Sequence, residues 1–151
     1  MSAVPNVGTS EREGKTVLVV EDSDDDLVVF QRIVRKAECG LSFQYVNDGE
    51  KALAYLEGEG PYADRKAHPF PDLVILDLGL PSVDGFEVLE YIRNRPGCKG
   101  FEVIVLSGRD DPECIEQAMA AGADRFISKP MEAKALQGVA EALDALLSFN
   151  D

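Results

Sequence analysis

Five polar side chains each stand where an apolar run ends. Glu21 and Asp22 close Thr16 to Val20, Asp77 closes Leu73 to Leu76, Ser107 closes Phe101 to Leu106, and Lys129 closes Arg125 to Ser128. Taken singly each has an ordinary reading, since charged strand ends are commonplace and solvated; Asp77 alone can attack, bind metal or simply face water. Taken together they form a coherent chemical set. Three carboxylates in one pocket repel each other unless a hard cation lies between them, and a small all-oxygen site suits Mg²⁺ or Mn²⁺. Such an ion neutralises phosphoryl oxygens, Lys129 adds a second positive charge, and Ser107 offers a hydroxyl donor. Asp77 would then be the acceptor oxygen for phosphoryl transfer, a reaction driven by positioning and charge stabilisation.

These groups meet only if the runs that carry them lie side by side. Leu73 to Leu76 is apolar without interruption, the pattern of a strand covered on both faces, and Thr16 to Val20 is a similar β-branched run. Five acids in six positions, Glu21 to Asp26, follow the first strand; Asp24, Asp25 and Asp26 are expected to cap and charge-stabilise a helix bearing Leu27, Phe30, Ile33, Val34 and Ala37. Phe43 to Val46 alternates like a half-exposed edge strand, and Asn47-Asp48-Gly49 turns into a helix through Ala52, Leu53, Tyr55 and Leu56. Gly and Pro are too dense from Gly58 to Pro71 for regular structure, so a long loop is expected there, with His68 as a surface residue. Gly79 and Pro81 break the central strand, and Asp84 caps a helix with Phe86, Val88, Leu89 and Ile92 on its apolar side. Asp110-Asp111-Pro112-Glu113 starts a fourth helix with Ile115, Ala118, Met119 and Ala120, stopped at Gly122. A last helix, Met131 to about Phe149, carries Leu136, Val139, Leu143, Leu146 and Leu147 at core spacing. Five strands alternating with five helices imply an α/β fold: a doubly wound parallel sheet, helices on both faces, with ligands at the carboxyl edge.

Length and composition agree with one domain. The 151 residues are 45% apolar; residues 1–14 read as a flexible N-terminal tail and residues 15–151 as the folded unit. No run approaches the length of a bilayer span and the N-terminus lacks a secretory pattern, so no membrane association and a cytoplasmic location are expected. A net charge of −13 repels phosphate backbones, which argues against direct nucleic-acid binding. Cys39, Cys98 and Cys114 are an odd number without short paired spacing, as expected of reduced thiols rather than a disulfide framework or a zinc site.

With Val17-Leu18-Val19-Val20-Glu21-Asp22, Leu76-Asp77 through Asp84-Gly85, Val105-Leu106-Ser107-Gly108 and Ser128-Lys129-Pro130 in this order, the chain resembles a response-regulator receiver domain of two-component signalling. The resemblance implies the flavodoxin-like receiver topology. It implies that Asp77 accepts a phosphoryl group from a phosphohistidine on a partner histidine kinase or phosphotransfer protein. Glu21 and Asp22 match the acidic pair that holds Mg²⁺, with Asp77 and the Gly79 carbonyl as further ligands. Ser107 matches the hydroxyl residue that swings toward the phosphoryl group, Phe126 the aromatic that packs inward with it, and Lys129 the pairing lysine. The Lys129-Pro130 bond matches one that is cis in the family, although a helix-start proline reads the same in sequence.

Two positions depart from the family pattern. Phe126 replaces the frequent hydroxyl-bearing aromatic, keeping the packing switch without the hydrogen bond, and Glu21 replaces the commoner Asp, a longer reach that suits contact through a water. Gly79 and Arg109 match positions that tune dephosphorylation. The loop from Gly58 to Pro71 is similar to that of small stand-alone regulators partnered with phytochrome-type kinases, implying a light- or redox-sensing partner. Since no second domain follows Asp151, the output is expected to be an interaction, through the face of the fourth helix, fifth strand and fifth helix, with a partner or a second copy. Such a protein catalyses only its own phosphorylation and dephosphorylation. Two readings compete: an aspartyl-phosphate hydrolase, which needs a second acid where Gly79 stands, and a receiver-like binding module that never takes phosphate, which would lack the acids or lysine present here.

Overall fold

Each apolar run forms a strand, and every strand is parallel to its neighbours. The structure, a computed structural model, describes residues 15–37, 41–79, 84–95, 102–108 and 111–129. In chain order these give β1 (Thr16–Val20), α1 (Asp24–Ala37), β2 (Ser42–Val46), α2 (Gly49–Glu57), β3 (Leu73–Asp77), α3 (Gly85–Asn94), β4 (Glu102–Ser107), α4 (Pro112–Ala120) and β5 (Arg125–Ser128). The sheet order is β2-β1-β3-β4-β5. This places β3 in the centre and β2 at an edge, as the unbroken and alternating patterns of the two strands predict. The expected fifth helix, the N-terminal tail and the Lys129-Pro130 bond lie outside the described residues, as do Arg109, Cys39 and Cys98.

Alternation along the strands fills both faces of the sheet. Leu18, Val20, Val74, Leu76, Val103 and Val105 pack with Ala52, Tyr55 and Leu56 of α2, with Val88, Leu89 and Ile92 of α3 and with Ala118 of α4. On the other face Val17, Val19, Leu73, Ile75, Ile104 and Leu106 meet Phe30 of α1, with Leu27 and Val34 beside it. All five residues of β1 and of β3 are buried, which explains why neither run alternates. Each large aliphatic side chain so buried contributes roughly 1.5–3 kcal/mol.

Three expectations are corrected. Helix α4 starts at Pro112 as expected and buries Ala118, but its other buried residue is Cys114, whereas Met119 is 43% exposed and Ala120 is also exposed. The stretch 58–71 contains a 3-10 turn at Gly60–Tyr62 and is held by side chains rather than left irregular. Tyr55 donates its hydroxyl to Pro69 O at 2.7 Å, and Arg65 donates to the carbonyls of Tyr55, Leu56 and His68 at 2.8–3.1 Å. His68 is half-buried, its ring edge-on to Tyr55 and Tyr62. Finally, α1 is capped by Ser23, whose Oγ accepts from the Asp26 amide at 3.2 Å, and not by the acids that follow.

Candidate functional site

Strand register sets the site. Val20 pairs with Leu76, so Glu21 and Asp77 leave adjacent strands at nearly the same level; Ser107 pairs with Ser128, so Lys129 emerges one residue further along β5. The Lys129 amide donates to Ser107 O at 2.9 Å, extending that pairing. All these groups therefore project from the carboxyl edge of the sheet.

Lys129 bridges the middle strands. Its ammonium donates to Asp77 Oδ2 at 3.1 Å and to Asp26 Oδ2 at 2.9 Å, and lies 2.7 Å from Glu21 Oε1. The other Asp77 oxygen, Oδ1, accepts from the Gly79 amide at 3.0 Å, a short local bond that fixes the carboxylate plane. The start of α3 presses on the same strand end. A Cβ on Gly85 would fall 2.5 Å from Leu78 Cα and 2.7 Å from Asp77 O, so only glycine lets this helix come so close. Asp84 caps the helix by accepting from the Phe86 amide.

The charges are unevenly satisfied. Burial, reinforced by the neighbouring Asp77, pushes Glu21 up to about 7. Burial also opposes the charge of Asp77, yet contacts from Glu21, the Gly79 amide and Lys129 outweigh it and hold the group below its ordinary value. For Lys129 desolvation is outweighed by Glu21, Asp26 and Asp77, and the ammonium is held well above its ordinary range. Of the two acids Glu21 is the one pushed toward its protonated form. Its buried Oε1 lies 2.7 Å from the Lys129 ammonium, and its Oε2 accepts from the Ser23 amide.

Carboxylate oxygens of Glu21, Asp22 and Asp77 lie within 4.8 Å of one another, with Asp22 exposed and the other two buried. The donors are all oxygen, and two of the three converging carboxylates are buried with a single ammonium between them, so these residues fit a hard divalent cation. Beside them opens a cavity of about 440 Å³ lined by Asp77, Leu78, Gly79, Asp84, Phe86, Ser107, Gly108 and Cys114. Ser107 is buried and shares this cavity with Asp77. Phe126 is half-buried and packs on the core beneath it, with Val105 as its strand partner.

Apart from Phe126, which lies within β5, the described site residues expected from the sequence lie at one edge; Glu21, Asp22 and Asp77 are within reach of one another, and Lys129 reaches Glu21 and Asp77. Two residues escaped the sequence reading. Asp26, assigned to helix capping, turns its carboxylate to Lys129; Cys114 is buried in the cavity wall. No local spacing signalled Asp26, because its partner Lys129 lies 103 residues away in the chain.

A family model for the response regulator receiver domain matches residues 17–141. Among solved structures, the response regulator RPA3017 in red light signaling of R. palustris is 32% identical, with a TM-score of 0.74 over 89% of this chain and 92% of that one. The phosphorylated cyanobacterial phytochrome response regulator RcpA is 30% identical, with a TM-score of 0.73 over 91% and 96%. The Mn²⁺-bound form of Rcp1, a response regulator of Synechocystis, is 28% identical, with a TM-score of 0.71 over 87% and 92%. The two-component response regulator ORR1 of Oryza sativa is 34% identical over 80% of this chain but 52% of its own length, so the chain spans about half of that protein. Sheet order, motif order and these likenesses agree: the chain belongs to the response regulator receiver domain family of two-component signalling and is related to the phytochrome response regulators.

Proposed function

We propose that residues 15–151 form a phosphoacceptor switch, cytoplasmic and free of membrane and nucleic acid, that takes a phosphoryl group on Asp77 from a histidine kinase or phosphotransfer protein. The observation that carries this reading is the Lys129 ammonium on the Asp77 carboxylate, with Glu21 and Asp22 beside it. A carboxylate oxygen of Asp77 forms the new O–P bond while the P–N bond of the donor phosphohistidine breaks. The electron pair stays on the imidazole nitrogen, which takes a proton from solvent. Hydrolysis reverses the switch: water attacks phosphorus, the O–P bond breaks, and the Asp77 carboxylate and inorganic phosphate are released.

Glu21, Asp22, Asp77 and the Gly79 carbonyl would hold Mg²⁺ or Mn²⁺, which when bound neutralises phosphoryl oxygens. Lys129 faces another of those oxygens as a fixed counter-charge. Ser107 donates its hydroxyl to a third, and its movement lets Phe126 pack inward across a cis Lys129-Pro130 turn. That shift remodels the face of α4, β5 and the following helix, for a partner or a second copy of the chain. No small metabolite is turned over. The names of the phosphorylated RcpA, the Mn²⁺-bound Rcp1 and the red-light regulator RPA3017 support both the chemistry and a phytochrome-type kinase as the partner. The test is Asp77→Asn incubated with labelled acetyl phosphate and Mg²⁺: the unaltered chain takes up label and the variant none. Undiminished labelling of the variant would defeat the reading.

A further inference from the structure

Lys129 faces more acid than the proposed chemistry employs. Asp77 takes the phosphorus and Glu21 faces the cation, but Asp26, whose carboxylate is 2.9 Å from the ammonium, has no part in either. An acid in the first turn of a helix is ordinarily explained by the partial positive charge there, and Asp24 and Asp25, both exposed, fit that account. The Asp26 side chain instead reaches a lysine 103 residues away. Its backbone is tied in as well. The Asp26 amide donates to Ser23 Oγ, and the Ser23 amide donates to Glu21 Oε2 at 3.1 Å, so one short run links the Asp26 peptide to the Glu21 carboxylate.

We propose that Asp26 is a positioning residue for phosphoryl transfer, anchoring the Lys129 ammonium through a bond that outlasts the conversion of Asp77 to its acyl phosphate. This inference rests on the phosphoacceptor reading above. Before transfer, Asp77 and Glu21 also attract the ammonium. Once Asp77 is esterified its charge passes to the phosphoryl oxygens, and Glu21 is engaged with the cation. Asp26 alone then still fixes the flexible four-carbon side chain from behind. Holding the ammonium there keeps one N–H aimed at the phosphoryl oxygen without reordering during the reaction. The Asp26 side chain is 43% exposed, so solvent screens the pair and the expected effect is several-fold rather than many orders of magnitude.

A double-mutant cycle on the full chain decides the matter, with labelled acetyl phosphate at a subsaturating concentration and Mg²⁺. Asp26→Ala should slow labelling of Asp77 about fivefold, and Asp26→Glu should restore most of the rate. In a Lys129→Met background Asp26→Ala should change the rate less than about twofold, because the partner is gone. Equal slowing in both backgrounds, or faster labelling of Asp26→Ala, would overturn the proposal. A second measurement needs neither donor nor metal: ¹⁵N-selected NMR of the side-chain ammonium groups. With Asp77→Asn and Glu21→Gln introduced so that Asp26 is left as the acid on Lys129, the Lys129 signal should persist, as it should when Asp26→Glu is added, and be lost to solvent exchange when Asp26→Ala is added, with the amide spectrum reporting the fold. Persistence in Asp26→Ala also overturns the anchor. Should the unaltered chain take up no label at all, the phosphoacceptor reading is what fails, and the NMR result still decides whether Asp26 holds Lys129.

Discussion

Arg65 and Lys129 are both half-buried cations with several partners each, Arg65 within ten residues of itself and Lys129 across the sheet, and their surroundings differ in kind. Arg65 donates to three backbone carbonyls at the end of α2 and in the following loop, and its guanidinium lies 5.7 Å from the ring centroids of Tyr55 and Phe70. These partners are dipoles and aromatic faces; the carbonyls at the helix end want a cation and receive one. Lys129 sits among three carboxylates, one of which is pushed up in pKa. In the loop the buried atom left unmatched is His68 Nδ1, a ring nitrogen and not a carboxylate oxygen. A cation among dipoles is a finished structural joint. A cation among crowded acids leaves room, electrostatically, for a second positive charge or for an exchange of partners.

The largest effect expected from perturbing this contrast comes from Gly85. Gly85→Ala forces a Cβ onto the backbone of Asp77 and Leu78, which cannot swing aside, and should cost about 3 kcal/mol in urea unfolding. A change near zero would mean that the strand end is not held by α3. Next is Arg65→Ala, which deprives three carbonyls of their donor and should cost about 2 kcal/mol. Labelling of Asp77 in that variant should match the unaltered chain wherever it is folded; a selective loss of labelling would erase the distinction between the joint and the site.

Glu21 sharpens the contrast through pH. Its raised value means that the folded chain binds the extra proton, so with chelator present the contribution of Glu21 to stability is full below about 4.5 and is lost as pH rises through about 7. Glu21→Gln should flatten this slope, stabilise the cation-free chain by about 1 kcal/mol at pH 8, and weaken stabilisation by Mg²⁺. An unchanged slope between pH 5 and 8 would show that Glu21 is not the strained acid. The smallest effect belongs to Tyr55, whose phenol burial pushes up to about 12. Its contribution is present below pH 10 and lost toward 12, so ultraviolet titration should find Tyr55 ionising late, beside Tyr91, which burial and Glu57 also push up, and Tyr55→Phe should remove the latest step. Ionisation of all tyrosines near pH 10 would contradict the buried joint.

What could be read from the chain ahead of its fold depended on distance along the sequence. The strands were legible because apolar runs bounded by acids or glycine admit few alternatives, and Asp48, Asp84 and Asp111 announced their helices by side chains that accept from amides two or three residues on. Glu21, Asp22, Asp77, Ser107 and Lys129 were legible for the same reason: a residue at a strand's end faces the sheet edge whatever else the chain does. The buried side of α4 was legible at Ala118 but not at Cys114, because Met119 and Ala120 are equally apolar in type and yet exposed. The loop's order was also hidden, because Arg65 works on carbonyls, which carry no signature in residue type.

The sequence by itself therefore determined the parallel α/β layout, the sheet edge at which Glu21, Asp22, Asp77, Ser107 and Lys129 emerge, and the residue types gathered there, all through local periodicity and strand termini. Only the tertiary structure decided that Asp26 belongs to Lys129, that Glu21 and not Asp77 bears the strained charge, and that Arg65 locks the loop. Those outcomes rest on pairs brought together by strand order and by the shared burial of competing charges, and no spacing within one segment encodes either.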